Sequence, residues 1–208
     1  MTYWKALNGR TSTMGDLNYR YPVGQWTRHL DPDRLVACEY GYHLARDRQV
    51  LEWLAPTLYT AEPCPDHPLI EHSDKVVTCS TKITLVRGWN ERTARMFAAD
   101  CAEGVLHLIP EAHRAPFVEA IRVVRLFADG LATDLERTAA GDAAWAGTAA
   151  WAGTAAAAAA GAGAAAAAGD AAWTAAAAWA WAAAAAGAGA AAAAGDAQYQ
   201  RLLHWITT

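Results

Sequence analysis

A chain of 208 residues is long enough to bury a sizeable core, and its formal net charge of −4 gives no basic footprint for nucleic acid. The four cysteines are scattered rather than arranged in a disulfide framework, and the N-terminal residues lack the apolar core of a signal peptide. We therefore expect a cytoplasmic protein with reduced thiols and without a nucleic-acid partner.

The first 88 residues have the composition and turn chemistry of a small mixed domain. Apolar alternation predicts strands, and Pro56 is predicted to end a short amphipathic helix over Arg46–Leu54. Residues 39–43 are predicted to turn the chain. The predicted strands and extended pieces, in chain order, are Tyr3–Leu7, Tyr19–Val23, Arg34–Cys38, Leu58–Glu62, Val76–Cys79 and Thr81–Val86.

After Trp89 the apolar period becomes helical. Asn90 is predicted to cap a first helix that Pro110 ends, Pro116 to start a second that Gly130 stops, and Thr133 with Glu136 to form the capping box of a third. The third helix is expected to end at Gly141. The predicted core between the first helices consists of Phe97, Cys101, Ile121, Val124 and Phe127.

The stretch from Gly141 to Asp196 is written almost entirely in Ala, Gly, Trp and Thr, and the block Gly161–Ala171 recurs unchanged as Gly187–Ala197. Ala is the best helix former, so long helices are predicted. The Gly-Asp pairs at 141–142, 169–170 and 195–196 are interpreted as joints between them. The predicted fold class is therefore α+β, with a small α+β domain over 1–88 and an all-α, Ala-rich array of packed antiparallel helices over 89–208. Membrane insertion is not expected, because Ala gains little in lipid and no Lys or Arg flanks set an orientation.

The large side chains of the Ala-rich stretch are tryptophans. They either pack inside the array or form a binding and self-association face, since Trp anchors dominate interface energetics. We expect a protein partner or a homo-oligomer, and a symmetric dimer in particular. The residues of this predicted binding face are Trp145, Trp151, Trp173, Trp179 and Trp181.

Two Cys-His pairs could ligate zinc, namely Cys38 with His43 and Cys64 with His67. The spacings are loose, and His43 can equally bond backbone as a structural residue. A nucleophilic Cys38 or Cys79 would need a base that the sequence does not reveal. No metal and no cofactor are therefore expected.

Residues from about 36 to 89 resemble an uncharacterised domain of bacteriophage and bacterial proteins. The shared pattern is a strand ending in Cys38, the turn Gly41-Tyr42-His43, a short helix, and Asp74-Lys75 before a terminal strand. Ala45 stands where members commonly have a second Cys. The resemblance implies a host-cytoplasm or virion location but no activity. The residues His43, Tyr42, Asp74 and Lys75 are a candidate polar site.

Residues from about 93 to 143 resemble the start of a bacterial immunity-protein family, in the segments Phe97–Glu103, Glu119–Ile121 and Phe127–Gly130. That family is an Ala-rich helical array thought to neutralise a toxin by binding. The leading hypothesis is thus a non-enzymatic interaction or assembly protein of phage or bacterial accessory type, with immunity or anti-defence binding as one alternative. The other alternative is a small enzyme or nucleotide binder centred on His43.

Overall fold

The computed structural model describes residues 1–13, 16–150 and 191–207, with side chains up to residue 146 and again from residue 195. The chain divides into two compact units, Met1–Arg87 and Gly88–Thr208. The first contains a six-stranded antiparallel sheet and the second is helical in its described part, so the mixed α+β class is confirmed.

The sheet of the N-terminal unit has the strand order β4-β5-β2-β1-β3-β6, with antiparallel pairing between neighbours. In chain order its strands are β1 (Tyr3–Leu7), β2 (Tyr42–Arg46), β3 (Thr57–Pro63), β4 (Ile70–Glu71), β5 (Val76–Thr78) and β6 (Thr81–Leu85). A 3-10 helix over Asp47–Glu52 follows β2 and packs against β1 and β2.

The sheet is strongly curled. Four strand spacings separate β5 from β6 in the pairing order, which is about 19 Å in a flat sheet. Only Cys79 and Ser80 join the two strands along the chain, a reach of about 11 Å. Because a flat sheet cannot satisfy both, β5 and β6 follow each other along one bent segment, residues 76–85 (the 76–85 strand), which brings the two sides of the sheet together.

The inside of the curl holds the main apolar core of this unit. Leu7, Tyr59 and Ile83 are buried there, and the rings of Tyr21 and Tyr42 pack edge-on with centroids 6.0 Å apart. Since successive side chains of a strand point to opposite faces, Trp4 and Leu58 lie on the outer face. That face is covered in part by the 3-10 helix, whose Val50 and Leu51 are fully buried.

Local signals predicted four of the strands, β1, β3, β5 and β6, to within two residues at each end. The strand expected at Arg34–Cys38 is wrong, because Pro32–Arg34 forms a 3-10 turn capped by Asp31 and residues 36–40 close a tight turn. The predicted turn over 39–43 is therefore too late by a few residues, since Tyr42 already begins β2. Tyr19–Val23 is extended but joins the sheet only through isolated bridges.

The described part of the C-terminal unit contains four α-helices, α1 (Glu91–Glu103), α2 (Ala115–Ala128), α3 (Asp134–Ala150) and α4 (Ala191–Thr207), with short 3-10 helices at Leu106–Leu108 and Glu111–His113 between α1 and α2. The predicted caps are confirmed. The Asn90 side chain accepts a hydrogen bond from Thr93 N–H at 3.1 Å. The Thr133 hydroxyl accepts one from Glu136 N–H at 3.2 Å, and the Glu136 carboxylate accepts one from Thr133 N–H. Helix α1 ends at Glu103, earlier than predicted.

Helix α1 packs against α2 and α4, and α2 packs against α3. Phe97, Cys101, Ile121 and Val124 are buried as predicted. Phe127 is only partly buried, and the centre of its ring lies 4.7 Å from the guanidinium carbon of Arg95 and 5.2 Å from that of Arg137.

Two of the three predicted Gly-Asp joints are wrong, because Gly141-Asp142 lies inside α3 and Gly195-Asp196 lies inside α4. Both glycines are buried, and Gly195 shares a helix face with the buried Leu202. These glycines therefore permit close packing rather than ending a helix. The pair at 169–170 lies outside the described residues. No helix in the described ranges combines the length and apolarity needed to cross a membrane.

Candidate functional site

A cavity of about 200 Å³ opens on the outer face of the N-terminal sheet. Its wall is apolar, and polar groups from separate parts of the chain converge on it. The lining residues are Trp4, Lys5, Ala6, Ser12, Thr13, Cys38, His43, Leu44, Ala45, Val50, Trp53 and Lys75. A concave apolar site with a few convergent polar groups has the general character of a ligand pocket.

Strand pairing places the two sides of this cavity together. Antiparallel pairing of β1 with β2 sets Trp4 beside Ala45, and pairing of β2 with β5 sets His43 beside Val77, two residues after Lys75. The 3-10 helix supplies Val50 and leads directly to Trp53. Residues far apart in the sequence thus meet because the sheet aligns their strands.

Cys38 reaches the cavity from a tight turn in which Tyr40 N–H bonds to Val36 O at 2.9 Å. Its backbone φ is 67°, a left-handed conformation that residues other than glycine rarely adopt. The turn is held against the sheet by Gly41 at φ 145°, where a Cβ atom would clash with Val77. Non-glycine residues held in such conformations cluster at functional sites.

The imidazole of His43 is held by the same turn. Its Nε2 accepts a hydrogen bond from the Cys38 backbone N–H at 2.8 Å, so the neutral ring carries its proton on Nδ1. Burial, together with the positive charges of Lys5 and Lys75, lowers the pKa of His43 to about 4. His43 is therefore neutral at pH 7 and offers a hydrogen-bond donor.

Lys75 brings positive charge to the cavity. Its Nζ lies 2.9 Å from Asp74 Oδ2 and 5.0 Å from the centre of the Trp53 ring, whose Nε1 donates to Asp74 O at 2.8 Å. The pKa of Lys75 is raised, first by the hydrogen bond to Asp74 and also by one to the Cys38 side chain. The same ion pair lowers the pKa of Asp74. This cation is held in place rather than free in solvent.

Lys5 is a second, deeply buried cation. Its Nζ donates to His43 O at 2.8 Å and lies 4.9 Å from the centre of the Tyr21 ring. Burial lowers the pKa of Lys5 to about 8. The bond to the His43 carbonyl ties β1 to β2 directly beneath the imidazole.

The structure divides the predicted polar site. His43 and Lys75 line the cavity and Asp74 holds Lys75, but Tyr42 belongs to the inner core. Because Tyr42 and His43 are neighbours on one strand, their side chains lie on opposite faces of the sheet. The Tyr42 hydroxyl donates to Arg28 O at 3.0 Å instead.

The zinc grouping considered from the sequence is corrected as well. Cys38 and His43 belong to the cavity, whereas Cys64 and His67 lie with His29 and Cys79 at the bend of the 76–85 strand. Local spacing along the chain does not reveal this, because the curl of the sheet assembles the second group. Burial, together with a hydrogen bond to Cys64, raises the pKa of the Cys79 thiol to about 11.

Of the predicted Trp face, only Trp145 can be placed, and about half of its surface is exposed. Trp151, Trp173, Trp179 and Trp181 lie outside the described residues. The sequence reasoning missed the cavity residues Trp4, Ser12, Thr13 and Trp53. Only Trp53 had a local signal, at the end of the short amphipathic helix.

Comparison of the chain with family models, with curated proteins and with solved structures finds no match. What the cavity can bind is therefore argued from its lining residues alone. A cation, a neutral imidazole, a thiol and two hydroxyls border a wall that contains two indole rings. Such an arrangement can hold an organic anion and shield part of it from water.

Proposed function

We propose that the N-terminal unit binds a small organic anion with a planar ring in the cavity around His43. The observation that carries the proposal is the convergence of Cys38, His43 and Lys75 on one apolar cavity of about 200 Å³. The volume suits a ligand no larger than a mononucleotide. This develops the nucleotide-binder alternative rather than the enzymatic one.

The charge of the lining favours an anion. Among the described residues that line the cavity, Lys75 brings an ammonium group to it and none carries a carboxylate. The ammonium of Lys5 lies over the Tyr21 ring on the inner face of the sheet and adds positive charge only at longer range. Neutral His43 adds a donor, and the hydroxyls of Ser12 and Thr13 can donate as well. A charge-assisted hydrogen bond to Lys75 would be about twice as strong as a neutral one.

The apolar wall favours a planar ring. Trp4 is buried and Trp53 is partly buried, so the two indoles are already largely withdrawn from water before a ligand binds. Trp53 is fixed by its bond to Asp74 O, which reduces the entropy cost of ordering it on binding. A ligand that places its ring against this wall and its anionic group near Lys75 would contact both the indoles and the cation.

Titration calorimetry with AMP, UMP, benzoate and inorganic phosphate tests this proposal. We expect AMP, UMP or benzoate to bind more tightly than phosphate, and Lys75→Gln to weaken that binding about tenfold. Lys82→Gln is the matched control, since Lys82 also pairs with a single carboxylate, that of Glu62, but lies away from the cavity lining. Absence of binding by every organic anion, or equal loss in both variants, would refute the proposal.

A second proposal concerns the C-terminal unit. We infer that the Ala-rich segment forms an array of antiparallel helices that associates with itself or with a protein partner, in the cytoplasm of a bacterial host. The supporting observation is that large apolar side chains just before and at the start of this segment are exposed: Leu131 at 73%, Leu135 at 79% and Trp145 at 49%. A non-enzymatic assembly role and toxin neutralisation both fit such a surface.

Light scattering tests the association. A dimer at tens of micromolar that dissociates when Leu135 and Trp145 are both replaced by Ser would support self-association. A monomer at all concentrations would exclude it and leave only a foreign partner.

A further inference from the structure

Four metal-ligating side chains meet at the bend of the 76–85 strand. The ligand atoms of His29, His67 and Cys79 all lie within 4.8 Å of one another. Cys64 joins them, with its Sγ 3.8 Å from His29 Nε2, while Cys79 Sγ lies 3.5 Å from the same nitrogen. The cluster contains two thiols and two imidazoles and shares no residue with the cavity.

These distances match the edges of a metal coordination tetrahedron. With Zn–S bonds of about 2.3 Å and Zn–N bonds of about 2.0–2.1 Å, tetrahedral geometry places N and S atoms about 3.5 Å apart. Both sulfur-to-His29 distances are within about 0.3 Å of that value. Within the group His29, His67 and Cys79 no two ligand atoms are more than 4.8 Å apart, which exceeds that value by little more than 1 Å, and rotation of the exposed His29 or the partly buried His67 can remove the difference.

The backbone holds the four residues in place without a metal. Leu30 N–H bonds to Cys79 O at 2.9 Å, which fixes the segment that carries His29 to the bend. Cys64 N–H bonds to Ser80 O at 2.9 Å just beyond the end of β3, and His67 follows three residues later. Thr27 and Ser80 close a buried hydrogen-bond network beside the bend.

We propose that His29, Cys64, His67 and Cys79 form a Cys2His2 site for a zinc ion. Two thiolates and two imidazoles in tetrahedral arrangement select Zn²⁺ among the common divalent metals. Four protein ligands leave no open position, so the role is structural. The ion would join the strand bend to the 64–67 loop and the segment before residue 30, and exposed His29 gives it a route from solvent.

Titration of the reduced full-length protein with Co²⁺, followed by displacement with Zn²⁺, tests the site. We expect one Co²⁺ per chain, a thiolate-to-cobalt charge-transfer band, and loss of that band when Zn²⁺ is added. Zn²⁺ should also raise the melting temperature, because it binds the folded state, and a chelator should reverse the rise. Absence of a charge-transfer band in the reduced protein would overturn the proposal.

Variants assign the ligands. His29 is exposed, so the His29→Gln variant should fold. It should weaken Co²⁺ binding by tenfold or more, because losing even a group that only hydrogen-bonds to a metal ligand lowers metal affinity about 10–100-fold. Cys79→Ser should abolish the band, and circular dichroism would show whether it folds. Cys38→Ser and His107→Gln remove an exposed thiol and an exposed imidazole outside the cluster, and should leave binding unchanged.

Two results would contradict the assignment. One is equal weakening in His29→Gln and His107→Gln, which would indicate adventitious surface binding. The other is a Cys64–Cys79 disulfide in the purified protein whose reduction, checked by mass spectrometry, does not restore Co²⁺ binding. Restoration on reduction would support the site instead.

Discussion

At the scale of single residues, one hydrogen bond links the two most unusual features of the cavity. The Cys38 N–H that reaches His43 Nε2 belongs to a residue with left-handed φ, and the imidazole that accepts it is neutral. The turn therefore sets the tautomer and the orientation of the ring. The tautomer in turn decides that His43 presents Nδ1–H as a donor.

His43 makes stability depend on pH. Its pKa falls from 6.5 to about 4 on folding, so the unfolded state binds more protons between those values. The stabilisation is complete above pH 6.5 and is lost as pH falls toward 4. Because the ring is partly exposed, we expect at most about 1–2 kcal/mol.

Urea unfolding of the wild type and of His43→Gln at several pH values measures this contribution. Gln can still accept the Cys38 N–H bond but does not titrate. The difference in unfolding free energy between the two proteins should shrink as pH falls through this window. A constant difference would show that His43 is charged or solvated in the folded state.

Cys38 carries backbone strain that glycine would relieve. A left-handed conformation costs a residue with a Cβ atom about 1–2 kcal/mol, whereas glycine adopts it freely at a greater entropic cost of folding. Cys38→Gly should therefore be more stable than Cys38→Ala by up to about 1 kcal/mol, as measured by chemical denaturation. A less stable glycine variant would mean that the turn is not strained at this position.

At the scale of elements, the sequence predicts what local pattern and capping determine. Asn90 and the Thr133–Glu136 box mark their helices correctly because a cap acts within one turn. Strand β2 was missed because it is defined by its partners β1 and β5, not by alternation within YHLAR. Pairing of β2 with β5 also brings His43 near Lys75, and pairing of β3 with β6 brings Cys64 near Cys79, so neither site could be assembled from spacing alone.

In the helical core of the C-terminal unit, two phenylalanines that the sequence pattern treats alike differ in burial. Phe97 and Phe127 have equivalent positions in the predicted apolar faces, but Phe97 is fully buried while Phe127 packs under two arginines. Phe97→Ala should cost about 3–5 kcal/mol and Phe127→Ala about 1–2 kcal/mol. Thermal unfolding with calorimetry compares them, and equal losses would contradict the difference in packing.

At the scale of the whole molecule, the chain combines two units of different character. The N-terminal unit concentrates ionisable, thiol and imidazole groups on a curled sheet. The C-terminal unit contains a long segment whose only ionisable residue between Asp142 and Asp196 is Asp170. We therefore propose ligand binding for the first unit and association for the second.

Alkylation of Cys38 tests the ligand cavity most directly, because the measurement reports on a lining atom. Of the four cysteines, all in the described part of the chain, Cys38 alone is exposed. Mass spectrometry can therefore follow its reaction with iodoacetamide while the other thiols serve as internal controls. A saturating anion of the AMP, UMP and benzoate set should slow Cys38 alkylation several-fold in the wild type and in Lys82→Gln, but not in Lys75→Gln. An unchanged Cys38 rate with every one of these anions would contradict a ligand site at His43.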